Sequence, residues 1–317
     1  MRDGMQRQKK AYLYGIAAVI FWSTSASAFK ICLSPERLNT GPTSLLLGAS
    51  VTGTLALLIY LLLSGKIKLL WGVSRAEVLR SAFLGLLSPF LYYTILFRAY
   101  SILRAQEAQP LNFVWPLVLV LLSGLLLKQK VRCLDIIGIV ISFSGVLVIS
   151  TEGHILSLKL SEPMGVALAL SSSIPWALYW IYNVKDRRDD AVKLFVNFVF
   201  ASAYAFLMLL VGGGFEELSL PQIMGATYVG LFEMGITFLL WLKALKLSER
   251  TAGVAGLVYL VPFLSLVVIS QVVGEKILAS TIAGALLIVG GILVQKVGLP
   301  AWGTEGTQER AKGRGGS

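Results

Sequence analysis

Runs of about twenty mostly apolar residues recur along this chain from end to end, and they limit its fold more than any motif does. Ten are read: 11–32, 43–64, 78–100, 105–127, 133–150, 163–183, 191–211, 222–246, 252–273 and 279–297. A run of that length spans the hydrocarbon core of a bilayer as a helix, because helix satisfies every backbone polar group within the segment. The gaps (34–42, 66–75, 151–162, 185–190 and 212–221) carry Pro, Gly, Asn and charge, as connecting loops do. Composition agrees: 56% of the 317 residues are hydrophobic, 14% are charged, and mean hydropathy is +0.76. Lipid is therefore the expected solvent, and the bilayer an expected partner.

The formal charge of +11 does not point to nucleic acid, because the basic residues sit in short gaps between apolar runs. With the N-terminus placed in the cytoplasm, twenty of the 28 Lys and Arg residues are assigned to inner segments, Lys276 among them. The outer set is Lys30, Arg37, Arg98, Arg104, Lys159, Lys243, Lys246 and Arg250. Both termini are thus expected on the cytoplasmic side of the cell membrane. Arg7, Lys9 and Lys10, an apolar run and Ser25–Ala28 imitate a signal peptide, but Trp22 and four hydroxyls interrupt the run, so it reads as a first spanning helix. Cys32 and Cys133 fall on opposite sides, which excludes a disulfide between them.

The chain also repeats itself. Sliding it by 145 positions puts Gly85, Leu86, Arg98 and Ala99 onto Gly230, Leu231, Lys243 and Ala244. After a one-residue insertion, Pro116, Lys130, Gly138, Gly145 and Val148 fall onto Pro262, Lys276, Gly284, Gly291 and Val294. Residues 1–150 and 151–299 are the two units, and the polar, Gly-rich segment 300–317 is expected to be a disordered cytoplasmic tail. Five spans per unit is an odd number, so the second copy enters the membrane from the opposite face. The expected fold is an all-α integral membrane protein of ten transmembrane helices in two inverted five-helix repeats, the architecture of secondary transporters.

In the second unit Pro262 precedes Gly274-Glu275-Lys276, Gly284 and Gly290-Gly291; the first unit departs, with Lys128-Gln129-Lys130 at the turn. This pattern resembles the EamA family of the drug/metabolite transporter superfamily. Trp22-Ser23-Thr24 and Asn112–Pro116 are similar to the YddG-type amino-acid exporters within it. The resemblance implies a basket in which helices 1, 3, 4, 6, 8 and 9 line a central cavity, and export of small solutes.

Polar groups at mid-membrane depth should face a cavity or one another. Glu233, within Gly230–Gly235 and matched by Ser88 across the repeat, is a candidate proton or ammonium site; the alternative is a structural pairing with a neighbouring helix. Glu107, beside Gln106 and Gln109, is a second candidate, with a helix-dipole role or a gate pairing as alternatives. Arg98 and Lys243 are read near the outer ends of helices 3 and 8, where snorkelling explains both. Trp22, Tyr92, Tyr93, Trp115, Trp176, Tyr179, Trp180, Trp241 and Tyr259 are candidate cavity residues able to stack on aromatic or cationic solutes, with core packing as the alternative. Asn112 could bond an amino acid's polar end. Pro89, Pro110, Pro116, Pro175 and Pro262 are candidate hinges, with Ser171–Ser173 placed to satisfy freed carbonyls. The glycines of helices 5 and 10, Gly290 included, are expected to permit close packing.

No protease, hydrolase or nucleotide-loop motif occurs, and His154 lies in a polar loop, so neither an enzyme nor a metal or cofactor site is expected. Asp186, Asp189 and Asp190 read as a solvated charge run rather than a prenyltransferase cluster. The expected activity is export of small metabolites, amino acids including aromatic ones above all, by alternating access. Efflux of aromatic cations, a channel and a prenyltransferase-like enzyme are the alternatives. A monomer is compatible with the sequence, which does not determine the oligomeric state.

Overall fold

The computed structural model describes residues 2–127, 133–155, 162–212, 214–248 and 257–296. Lys128–Arg132, Lys159, Arg250, the start of the ninth run and the tail from Pro300 lie outside the described residues. Helix α1 (Arg2–Leu33) runs unbroken through Ser25–Ala28. In α2 (Pro42–Leu63) the proline stands in the first turn, where its missing N–H is harmless. Helix α3 (Arg75–Ile102) opens on a capping box, in which the Ser74 N–H donates to Glu77 Oε2 at 2.8 Å and the Glu77 N–H donates to Ser74 Oγ. The fourth run divides into α4a (Ala105–Asn112) and α4b (Trp115–Leu127). Next come α5 (Cys133–Ser150), α6 (Pro163–Lys185) and α7 (Asp190–Val211). Helix α8 joins Leu220–Tyr228, a wide turn at Val229–Gly235 and Ile236–Leu247. The chain continues as α9 (Leu257–Val273) and α10 (Ala279–Lys296).

Among the described residues, α1, α2, α3, α6, α7 and α8 are long and apolar enough to cross a membrane. Ile136–Ser150, Leu257–Val273 and Ala279–Val294 are shorter apolar helices.

Helix pairings follow a pattern of exchange between the halves. Where α1 packs on α8 and α9, α6 packs on α3 and α4; α2 pairs with α7, and α5 with α10. The α5–α10 pair is antiparallel and reciprocal. A Cβ on Gly145 would stand 2.5 Å from the Gly284 carbonyl oxygen, and one on Gly291 would collide with the Gly138 carbonyl oxygen. Gly290 departs from expectation, since open space surrounds it.

Contacts at the helix ends sort into two sets and correct the assignment of several charges. At the N-terminal end, Lys66 pairs with Asp189 at 2.6 Å, Arg188 bonds Ser81 and Ser248 meets Gln8. Lys243 belongs to this end, its ammonium 4.6 Å from the Tyr60 ring centroid and 6.0 Å from that of Tyr14. At the far end, Arg37 bonds the Val273 carbonyl and Glu275 accepts from the Ala105 N–H. Lys276 follows Glu275 there, with its carbonyl bonded by Gln106. Lys243 and Lys276 thus exchange the sides read for them, because helices joined by short loops alternate in direction. One basic residue moves each way, so the majority stays at the N-terminal end.

Two candidate hinges are also revised. Pro116 and Pro262 stand in the first turns of α4b and of Val261–Val268, so they begin helices instead of kinking them. Pro89 lies in a wide turn, Leu86–Leu91, where Ser88 is extended and the Ser88–Pro89 bond is cis. Pro110 and Pro175 are inside α4a and α6. Ser171, Ser172 and Ser173 bond the carbonyls of Leu168, Ala169 and Leu170, the three just before the Ser171 carbonyl that Pro175 frees, so they do not satisfy it as expected. The aspartates after α6 are a paired network, not a solvated run: the Asp186 side chain is 0% exposed beneath Arg188.

Candidate functional site

The wide turn in α8 places Glu233 in the protein's interior. Such a turn disrupts the regular backbone ladder and leaves carbonyls open to side-chain donors. Trp22 Nε1 of α1 donates to the Glu233 carbonyl at 3.2 Å, and the Thr237 hydroxyl donates to that of Phe232. The Glu233 carboxylate is then gripped from two other helices. Ser25 Oγ donates to Oε2 at 2.5 Å, and the Tyr93 hydroxyl donates to Oε1 at 2.8 Å. Both donors are buried, and no Lys or Arg pairs with this carboxylate among the described residues.

Tyr93 links the carboxylate to a cluster of rings. Tyr92 touches Tyr93 with centroids 4.6 Å apart and stacks on Trp176 at 4.5 Å. Trp176 in turn meets Trp115 at 6.4 Å, Tyr179 at 6.1 Å and Trp180 at 5.6 Å. A polar chain flanks the stack: the Tyr92 hydroxyl donates to Asn112 Oδ1 at 3.1 Å, and Asn112 Nδ2 donates to Ser172 Oγ at 2.8 Å. Asn112 is the last residue of α4a, just before the break at Phe113 and Val114 that sets Trp115 at the head of α4b. Trp22 and Trp241 form a second pair, 5.3 Å apart. Tyr259 joins through Phe113 at 6.3 Å.

The expected cavity residues therefore gather in one core cluster, most of them buried and packed on each other, with Trp22 and Trp115 half-buried against it. Glu107 does not join them. Its carboxylate bonds Arg104 at 2.8 Å at the start of α4a, which realises the helix-terminus alternative. Arg98, exposed near the far end of α3, and Lys243 at the N-terminal end do not meet Glu107, so no gate forms among these three.

Sequence reasoning passed over Ser25, Phe238 and Glu275. Ser25 is one of several hydroxyls in an apolar helix, and nothing in its spacing marks it as the partner of a residue 208 positions away. Phe238 packs on Trp176 at 5.6 Å. Glu275, seen as part of a turn pattern, receives the N–H groups of Ala105 and Gln106 at 2.9 and 3.1 Å and so caps α4a from the other half. The left-handed Gly274, φ 79°, ends the preceding helix just before it.

The profile of the EamA-like transporter family matches twice, over residues 9–151 and 163–295. An uncharacterized transporter of Acidianus ambivalens is 31% identical over 215 residues, covering 67% of this chain and 82% of that protein. The aromatic amino acid exporter YddG of Ancylobacter novellus is 26% identical over 300 residues, covering 90% and 97%. A solved crystal structure superposes with a TM-score of 0.59 at 22% identity, over 91% of this chain and 97% of that one, a likeness of fold alone.

Proposed function

The chain belongs to the EamA-like transporter family, multi-pass membrane transporters and not enzymes, and from that premise we propose a secondary exporter of amino acids, aromatic and hydrophobic ones included. One observation carries the reading: a buried carboxylate, Glu233, beside a stack of aromatic rings. A carboxylate without a basic partner suits an ammonium group or a proton. Rings held in place at low entropy suit an apolar or aromatic side chain. The Tyr92–Asn112–Ser172 chain offers amide and hydroxyl groups for the remaining polar end.

Transport proceeds by alternating access between two inverted five-helix units, residues 1–150 and 151–299. The reciprocal α5–α10 contact and the exchanged helix pairings support this arrangement. Bonds between the halves exist at both ends, Glu275 on α4a and Arg37 on Val273 at one, Lys66 on Asp189 and Arg188 on Ser81 at the other. Each open state breaks one set while the site between them stays formed. The N-terminal end is cytoplasmic on this reading, supported by the basic residues concentrated there.

Purified protein in proteoliposomes, tested with a panel of amino acids and aromatic cations with and without a pH gradient, decides the matter. Saturable flux of aromatic amino acids is the expected result. Flux of aromatic cations alone would establish the drug-efflux alternative, and flux that never saturates would establish a channel.

A further inference from the structure

A second site lies away from the carboxylate, at the N-terminal end where the start of α3 meets the end of α6. A cavity of about 410 Å³ there is lined by Glu77, Arg80, Lys185, Asp186, Arg187 and Arg188. A neighbouring cavity of about 360 Å³ shares Arg80 and Lys185 and adds Phe83 and Tyr182. Four cations thus converge from the two halves of the chain against two acids, and both acids are already engaged. Glu77 caps α3 through Ser74, and Asp186 is held by Arg188 at 2.5 Å. Arg80, Lys185 and Arg187 have no acidic partner among the described residues, and the buried Arg188 Nη1 has no hydrogen-bond partner. Uncompensated positive charge at a closed joint between halves calls for an anion, and guanidinium groups favour the planar recognition of phosphate.

The walls indicate which phosphate. Phe83 and Tyr182 meet edge to face, 5.7 Å apart, with the Lys185 ammonium 5.9 Å from the Tyr182 ring. Leu79, Phe83 and Leu86 are exposed at helical spacing along α3, forming an apolar strip that runs from the basic mouth toward the middle of the span. A basic mouth continuous with an apolar strip matches a lipid, headgroup at the charges and acyl chain along the helix. We infer that this joint between α3 and α6 binds the phosphate headgroup of an anionic phospholipid, which bridges the two halves.

The test uses the full chain in nanodiscs of phosphatidylcholine with graded phosphatidylglycerol, reading retained lipid by mass spectrometry and unfolding temperature in parallel. Wild type should enrich phosphatidylglycerol and gain thermal stability with it. Arg80→Gln, Lys185→Gln and Arg187→Gln should each reduce the preference about fivefold, the weight of one basic residue at a membrane surface. All three side chains are exposed, so stability in pure phosphatidylcholine should not change, and the charge-keeping Arg80→Lys/Arg187→Lys should retain more of the preference than the neutral substitutions do. Lys68→Gln/Arg75→Gln, elsewhere on the same end, should leave it intact. Equal retention of both lipids by wild type, or a preference that survives the three neutral substitutions, would overturn the inference. Inorganic phosphate that displaces the lipid and stabilises the protein equally well would assign the site to a soluble anion instead.

Discussion

At the scale of residues, the interior carboxylate is the most consequential group. Tyr93→Phe removes one of two donors to Glu233 and leaves a buried oxygen unsatisfied, so unfolding stability in detergent should fall by about 1–3 kcal/mol. Glu233→Gln preserves the shape but can neither carry a proton nor balance an ammonium. Proteoliposome flux of this variant should lose its dependence on pH, and an unchanged profile would exclude proton coupling at this residue. The aspartates after α6 make a second prediction. Burial pushes the Asp186 carboxyl up, but the Arg188 guanidinium bonded to both oxygens outweighs it and holds the group below the usual carboxylate range. Asp189 is likewise raised by burial and then brought below its ordinary value by Lys66 and the first N–H groups of α7. A depressed folded value means that this stability is fully present above the ordinary carboxylate pKa of about 3.9 and is lost as pH falls through the folded value. Thermal unfolding of wild type should therefore weaken on acidification through that window. Asp186→Ala should already be less stable by about 3–5 kcal/mol at neutral pH, since it strands a buried guanidinium, and should lose less on acidification.

At the scale of elements, glycine sets how closely α5 and α10 approach. Both partners at the crossing are backbone, so neither yields to an added methyl. Gly145→Ala should lower stability by about 1–3 kcal/mol, read as unfolding temperature, whereas Gly290→Ala, facing open space, should be neutral or better. The capping of α4a works across the halves in a similar way. Glu275→Ala leaves the Ala105 and Gln106 N–H groups unpaired, a loss of about 0.5–2 kcal/mol by the general value of a cap, borne only by the state in which the far end is closed. Accessibility of a cysteine placed near that end should rise in this variant, and unchanged accessibility would show that the cap does not hold the far end shut.

At the scale of the whole molecule, alternating helix direction places Lys66 and Lys276 at opposite ends. Single cysteines at these two positions, on a cysteine-free background, should react with impermeant reagents from opposite faces of sealed vesicles. Labelling from the same face would overturn the proposed inverted arrangement. Much of this architecture was legible in the sequence. Apolar runs of fixed length, a 145-residue self-match and glycines at 138, 145, 284 and 291 declare helices, duplication and a close crossing, because bilayer thickness and backbone satisfaction act on each segment locally. Side assignments at Lys243 and Lys276 failed where alternation was not carried through every loop, and Pro116 and Pro262 were misread because a proline that starts a helix and one that bends it look alike in a string. Which side chains meet was beyond the sequence. Ser25, Tyr93 and Glu233 come from three helices far apart in the chain, and only packing selects the donors for a buried carboxylate. The same holds for the basic joint at Arg80 and Lys185 and for the cap that Glu275 lends to α4a. Local chemistry thus specified what each segment is, while the encounter of distant segments specified what the protein can bind.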